Sequence, residues 1–67
     1  MDLPQNILPA LRIASAQWHD AKSNAGDTTA AIERTILIAV LHTLGEHIAW
    51  DTSDDTIEGV VAWFLMT

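Results

Sequence analysis

The segment "HTLGEH", residues 42–47, carries the side chains best suited to chemistry. Imidazole and carboxylate groups are zinc ligands, and the helical two-histidine zinc motif places its histidines at positions i and i+4. His42 and His47 are five residues apart and diverge by about 140° around the predicted helix, so they cannot share an ion. His42 and Glu46 do have the i, i+4 spacing, but two ligands leave a metal site incomplete. The sequence therefore predicts histidines with local hydrogen bonds, no metal and no cofactor.

Glu33 is the other candidate for chemistry. It falls near the centre of the apolar arc of its helix, where a buried carboxylate could serve as a functional acid. In the first turns of that helix, however, it can reach solvent or pair with Arg12 or Arg34. The chain has no cysteine, no glycine-rich phosphate loop and no serine spaced from a histidine in a way that suggests activation. We therefore expect no catalytic residues and no enzymatic activity.

The apolar periodicity predicts one all-α domain over residues 1–67, with helices over about residues 7–23, 28–49 and 54–65. Asn6 is the predicted N-cap of the first helix, and Asp2 is an alternative that would start the helix earlier and kink it at Pro9. The first two helices are expected to form an antiparallel hairpin that packs lengthwise along a narrow apolar seam. The residues of this core or dimer seam are Ile7, Leu11, Trp18, Ile36, Leu37, Val40, Leu41 and Leu44.

The second helix is apolar over most of its circumference. Its uninterrupted apolar run, Ile36 to Leu41, is far shorter than the ~20 residues that span a bilayer. The apolar arc is nevertheless broader than one partner helix covers, and Ile38 lies outside it. A helix of this kind is expected at the centre of a fold or at a dimer interface.

Two short turns separate the helices. In "SNAGDTT", Gly26 suits the left-handed position after a helix, and Asp27 or Thr28 can cap the next one. In "WDTSDD", Ser53 or Asp54 is the predicted cap of the third helix. A strand over residues 60–66 is the alternative, because "VVAWFLM" is rich in β-favouring residues. Helix is favoured, since the caps belong to a helix and no second strand exists for pairing.

The charge is strongly acidic and unevenly spread. The net charge is −6, and residues 35–67, which contain no lysine or arginine, carry −5 of it. Such a surface repels phosphates, which argues against direct nucleic-acid binding and against attachment to anionic membranes. A protein with a basic surface is the natural partner. The acidic N-terminus, with no apolar run of signal length after it, predicts a cytoplasmic protein.

Several apolar side chains fall off the predicted packing stripes. An apolar surplus of this size in a small domain predicts a homodimer, in which two helical hairpins form a four-helix arrangement with the third helix outside. The off-stripe residues are Leu8, Ile13, Ile38, Trp63 and Met66.

The run Ile7, Leu8, Leu11, Arg12, Ala14, Trp18 resembles the opening helix of small phage-encoded helical inhibitors that disable host regulators, including anti-quorum-sensing proteins. The resemblance covers only the first helix and implies a class, namely tiny acidic helical proteins that occupy another protein's surface.

The function that we predict is stoichiometric binding that inhibits or regulates a partner protein. The alternatives are an acidic mimic that blocks a basic DNA- or RNA-binding groove, and a small structural subunit of a larger assembly. The predicted binding surface combines apolar anchors with an acidic rim, as in a binding hot spot. The anchors are Trp50, Trp63 and Met66, and the rim is Asp51, Asp54, Asp55 and Glu58.

Overall fold

A computed structural model of the chain describes residues 7–66. They form three helices, α1 (Ile7–Asn24), α2 (Asp27–Thr43) and α3 (Asp54–Met66), and residues 7–66 contain no strand. The all-α prediction is confirmed, and the alternative of a C-terminal strand is wrong. The predicted caps of the first helix, Asn6 and Asp2, lie outside the described residues.

The turn between α1 and α2 consists of Ala25 and Gly26. Gly26 adopts a φ of 89°, and its carbonyl accepts the N–H of Ala30 at 3.0 Å. Gly26 is therefore the N-cap of α2, and no side chain caps this helix. The predicted caps Asp27 and Thr28 are wrong, because the helix begins one position earlier than expected. Asp27 instead lies in the first turn, where its carboxylate favours the positive end of the helix dipole.

α2 ends at Thr43, well before the predicted end at residue 49. Gly45 has a φ of 92°, which a glycine adopts at little cost. Its N–H donates to the His42 carbonyl at 3.0 Å, and the N–H of Glu46 donates to the Leu41 carbonyl at 2.9 Å. These two hydrogen bonds are the Schellman motif, which terminates a helix at a left-handed glycine.

Residues 44–53 form an irregular segment, called here the return loop, that runs back along α2. A turn closes it where the N–H and the hydroxyl of Thr52 both donate to the Ala49 carbonyl, at 3.1 and 2.6 Å. Ser53 then caps α3, since its hydroxyl accepts the N–H of Thr56 at 3.3 Å. The predicted cap Ser53 is confirmed.

The core lies between the three helices, and α1 is its central element. α1 packs against both α2 and α3, whereas α2 and α3 make few direct contacts with each other. Of the two positions expected for α2, the centre of the fold is therefore taken by α1, and the position at a dimer interface stays a prediction. Trp18 is the largest fully buried side chain. The buried residues are Leu11, Ala14, Trp18 and Ala21 of α1, Leu37, Ile38, Leu41 and Leu44 of α2 and its end, and Ile57 and Val61 of α3.

The buried arc of α2 is rotated from the predicted one. Ile38, predicted to lie off the stripe, is fully buried, whereas Ile36 of the predicted seam is 44% exposed. The cause is the return loop, which Arg34 holds against the face of α2 that also carries Ile38, one turn later. Packing on that side leaves the opposite side, with Ile36, open to solvent.

No helix within residues 7–66 is long and apolar enough to cross a bilayer.

Candidate protein-binding surfaces

His42, His47 and Trp50 form a ring cluster at the start of the return loop. The His42 and His47 ring centroids lie 5.3 Å apart, and Trp50 meets His42 edge-on at 4.8 Å. His42 Nε2 lies 2.8 Å from the Ile48 carbonyl oxygen. The predicted divergence of the two histidines is wrong, because α2 ends between them. The cluster fastens the loop to the end of α2.

The ring cluster offers two imidazoles and no further ligand. Among residues 7–66, no three His, Asp or Glu side chains are grouped so that they could hold a metal ion. The role of the ring cluster is local, since His42 ties the loop backbone to the helix and its ring contacts those of His47 and Trp50 at tilted and edge-on angles.

Glu33 lies half-buried on α2, and its Oε2 atom is buried without a hydrogen-bond partner. Arg34, one of the two partners considered for Glu33, does not pair with it, because the Arg34 guanidinium binds the return loop and α3. No ion pair joins Glu33 to Arg12 within the described part of the chain.

Arg34 joins α2 to the return loop and to the start of α3. Its Nη1 and Nη2 atoms donate to the carbonyls of Trp50 and Thr52, and its Nε lies 3.3 Å from Asp54 Oδ1. Asp54, predicted as part of an acidic rim, is thus engaged within the chain. The planar guanidinium can serve three acceptors at once, which a lysine ammonium does with far less geometric definition.

Glu58 is likewise engaged within the chain. The Lys22 ammonium donates to Glu58 Oε1 at 3.0 Å, and His19 Nε2 lies 3.6 Å from the same oxygen. The hydrogen bond from Lys22, helped by the positive charges of Lys22 and His19, lowers the pKa of Glu58 below its ordinary value. Lys22 also lies 3.8 Å from the centre of the Trp18 ring, in a cation–π contact. Lys22 thereby covers the Trp18 ring where the first turns of α3 meet the end of α1.

The predicted binding surface is therefore divided by the fold. Glu58 faces α1, and Trp63 lies about 140° away from it around α3. Trp50 belongs to the ring cluster on the return loop. Asp51 and Asp55 are exposed and make no ion pair within residues 7–66.

The exposed apolar anchors at the end of α3 remain together. Trp63 is 64% exposed and Met66 is 84% exposed, at spacing i and i+3 on one face of the helix. Phe64 meets the Trp63 ring edge-to-face, with centroids 5.0 Å apart and planes at 86°. An open groove lined by Glu46, Val60 and Trp63 lies beside this face. The surface formed by Val60, Trp63 and Met66 is called here the α3 anchor.

The predicted seam residues mostly line the core. Ile7 and Val40 pack against the core from partly buried positions, and Ile36 is exposed. The remaining seam residues, Leu11, Trp18, Leu37, Leu41 and Leu44, are buried.

Sequence reasoning missed the linking role of Arg34 and the pairing of Lys22 with Glu58. Each joins residues 16 or more positions apart in the chain, so local spacing carries no signal for it.

The comparisons with known proteins are negative. No protein-family model, no curated protein and no solved structure matches the chain significantly.

Proposed function

We propose that the protein acts by stoichiometric binding to a partner protein, which it inhibits or regulates, and that the α3 anchor is the contact surface. The observation that carries the proposal is the exposure of Trp63, a large apolar side chain beside an open groove. Tryptophan is the residue type most enriched among the few that dominate binding energy in protein interfaces.

The surroundings of Trp63 support this role. Its contact with Phe64 restrains the indole before binding, so less side-chain entropy is lost when a partner covers it. Met66, one turn later, offers a flexible thioether side chain that adapts to an irregular surface. Glu46 at the groove wall supplies a charged edge. An apolar centre with a polar rim is the usual anatomy of a protein interface.

The acidic-mimic alternative is weakened by the placement of two of its residues. Asp54 is paired with Arg34, and Glu58 is paired with Lys22. A mimic of phosphate spacing needs its carboxylates presented outward, and these two face groups of their own chain. Asp51 and Asp55 alone form a much smaller negative surface.

The experiment is an affinity capture from the native host with three forms of the chain as bait. These are the wild type, Trp63→Ala and the control Ile13→Ala. Ile13 is 59% exposed on α1, so the control removes a similarly exposed apolar side chain elsewhere. We expect one protein to be captured by the wild type and by Ile13→Ala. Trp63→Ala should raise the dissociation constant for this captured protein about 30-fold or more, which corresponds to a hot-spot loss of about 2 kcal/mol.

Raised salt separates the two candidate functions. Binding through the α3 anchor should persist in high salt, whereas an acidic mimic should release its partner steeply. Circular dichroism of Trp63→Ala should match the wild type, since the side chain is largely exposed. Equal capture by Trp63→Ala and the wild type would contradict the proposal.

A further inference from the structure

The outward side of α2 carries no charged side chain. The surface in question, called here the α2 face, consists of Thr28, Ala31, Ile32, Thr35, Ile36, Ala39, Val40 and Thr43. All of these residues are exposed except Val40, which is half-buried. The charged residues of α2 lie elsewhere. Arg34 is bonded to the return loop, Glu33 has one oxygen buried, and Asp27 precedes the face at the end of the helix.

Two threonines of the α2 face use their hydroxyl groups within the helix, so they present fewer free hydrogen-bond donors to solvent. The Thr35 hydroxyl donates to the Ala31 carbonyl at 3.0 Å, and the Thr43 hydroxyl donates to the Ala39 carbonyl at 3.1 Å. Their hydroxyls are thus satisfied within the helix. Covering the central and C-terminal parts of the face therefore leaves no hydroxyl donor of Thr35 or Thr43 without an acceptor.

The α2 face has the shape of two parallel rows. One row is large, with Ile32, Ile36 and Val40 at every fourth position. The adjacent row is small, with alanine and threonine alternating at every fourth position, and it comprises Ala31, Thr35, Ala39 and Thr43. Ridges formed by residues at i±4 pack into the grooves beside such ridges on a second helix. Under a two-fold axis, the large row of each helix fits the small row of the other, so the face is complementary to itself.

We propose that the α2 face is the contact between two copies of this chain, related by a two-fold axis that passes near Ile36. The distribution of charge favours the α2 face as the place where a second copy of the chain binds. Each chain carries −6, so two copies that met through most of their surface would bring carboxylates together. Contact through the α2 face joins two surfaces that carry no charged side chain. Asp27 and Asp54 lie only at its edge, where they line a pocket with Ala31, Lys22 and Arg34.

The size of the face sets the expected affinity. α2 is 17 residues long, which gives a contact of about 25 Å, and one helix pair buries less than the ~800 Å² per partner of a standard stable interface. We therefore expect a reversible dimer with a dissociation constant on the order of 1–100 μM. The contact uses none of the residues of the α3 anchor, so the two proposals succeed or fail independently.

The test is sedimentation velocity of the full chain over a concentration series that brackets this range. Ile36→Glu places two carboxylates beside the two-fold axis, and we expect it to weaken dimerisation at least about tenfold. Ile13→Glu is the matched control, because it makes the same change at an exposed isoleucine on α1. It should leave the dimer unchanged.

A second variant makes the test independent of whether Ile36→Glu folds. Ala39→Gln fills the small row with a long uncharged side chain at an exposed helical position, and Ala16→Gln makes the same change at an exposed position of α1. Ala39→Gln should weaken the dimer and Ala16→Gln should not. A wild type that stays monomeric throughout the series would overturn the proposal. So would a dimer that the Ile36 and Ala39 changes affect no more than their α1 controls.

Discussion

Arg34 of α2 and Asp54 at the start of α3 are joined across 20 residues of sequence, with Arg34 Nε 3.3 Å from Asp54 Oδ1. The same guanidinium donates to the carbonyls of Trp50 and Thr52. One side chain therefore connects the helix, the return loop and the start of the next helix. Ser53 caps α3, and this connection holds the start of the helix against α2.

Replacing Arg34 with methionine should destabilise the fold. The change keeps most of the aliphatic stem but leaves the Trp50 and Thr52 carbonyls and the Asp54 carboxylate without their donor. We expect the free energy of unfolding in urea to fall by about 1–3 kcal/mol. Arg12→Met is the control, because Arg12 is exposed and forms no ion pair within residues 7–66. An equal effect at both positions would show that Arg34 does not fasten the loop.

Gly45 and Gly59 should respond in opposite directions to alanine. Gly45 has a φ of 92° at the end of α2, so an alanine there is strained, at a cost of about 1 kcal/mol. Gly59 lies within α3, and a methyl group at its Cα would meet nothing within 4 Å. Gly59→Ala should therefore stabilise the protein by about 0.5–1 kcal/mol. Thermal and urea unfolding of the two variants measure both signs, and stabilisation by Gly45→Ala would contradict the helix end at Thr43.

Glu58 should make part of the stability depend on pH. Its pKa is lowered in the folded state by the hydrogen bond and charge of Lys22, from an ordinary value of 4.5. The folded protein then binds this proton less readily than the unfolded chain, so the ion pair stabilises fully above pH 4.5. The stabilisation is lost as the pH falls through the lowered value.

Glu58→Gln provides the measurement. The difference in urea midpoint between the wild type and Glu58→Gln should be greatest near neutral pH and should shrink towards zero in acid. It should also shrink in high salt, because the pair is partly exposed. Asp51→Asn, which removes an exposed acid without an ion pair in the described residues, controls for the loss of one negative charge. A difference that stays constant with pH would contradict the pairing with Lys22.

Glu33 should be replaceable with a gain in stability. Its Oε2 atom is buried without a partner, and an unsatisfied buried polar atom costs about 1–3 kcal/mol. Glu33→Met keeps the length and helix propensity of the side chain and removes the polar atoms. We expect the free energy of unfolding to rise by about 1 kcal/mol, measured in urea. A loss of stability would instead mean that the carboxylate has a stabilising role.

Local sequence signals predicted much of the fold. The seam residues Leu11 and Trp18 and the cap Ser53 follow from spacing and from the chemistry of helix ends, which act over one or two turns. The end of α2 was also signalled locally, by Gly45 with His42 in the turn before it. The apolar residues that continue beyond Gly45 mask that signal, and of these Ile48 packs against the core as part of the loop and not of the helix.

The candidate surfaces were harder to predict. Which side of α2 is exposed depends on where the return loop lies, and the loop is placed by Arg34 through contacts between distant residues. Ile36 and Ile38 are similar side chains two positions apart, so no local pattern decides which one is buried. The exposure of Trp63 and Met66 was predictable, because the α3 stripe that faces the core is defined by helical periodicity alone.

A dilution series of two-dimensional NMR spectra of the labelled chain tests most directly whether the α2 face and the α3 anchor are separate binding surfaces. We expect the chemical shifts of the Ile32, Ile36 and Ala39 amides to change with concentration. The indole N–H signal of Trp63 should stay constant until a partner protein is added, and should then shift. Concentration-dependent movement of the Trp63 signal, with constant signals along the α2 face, would contradict the assignment of self-association to the α2 face and of partner binding to the α3 anchor.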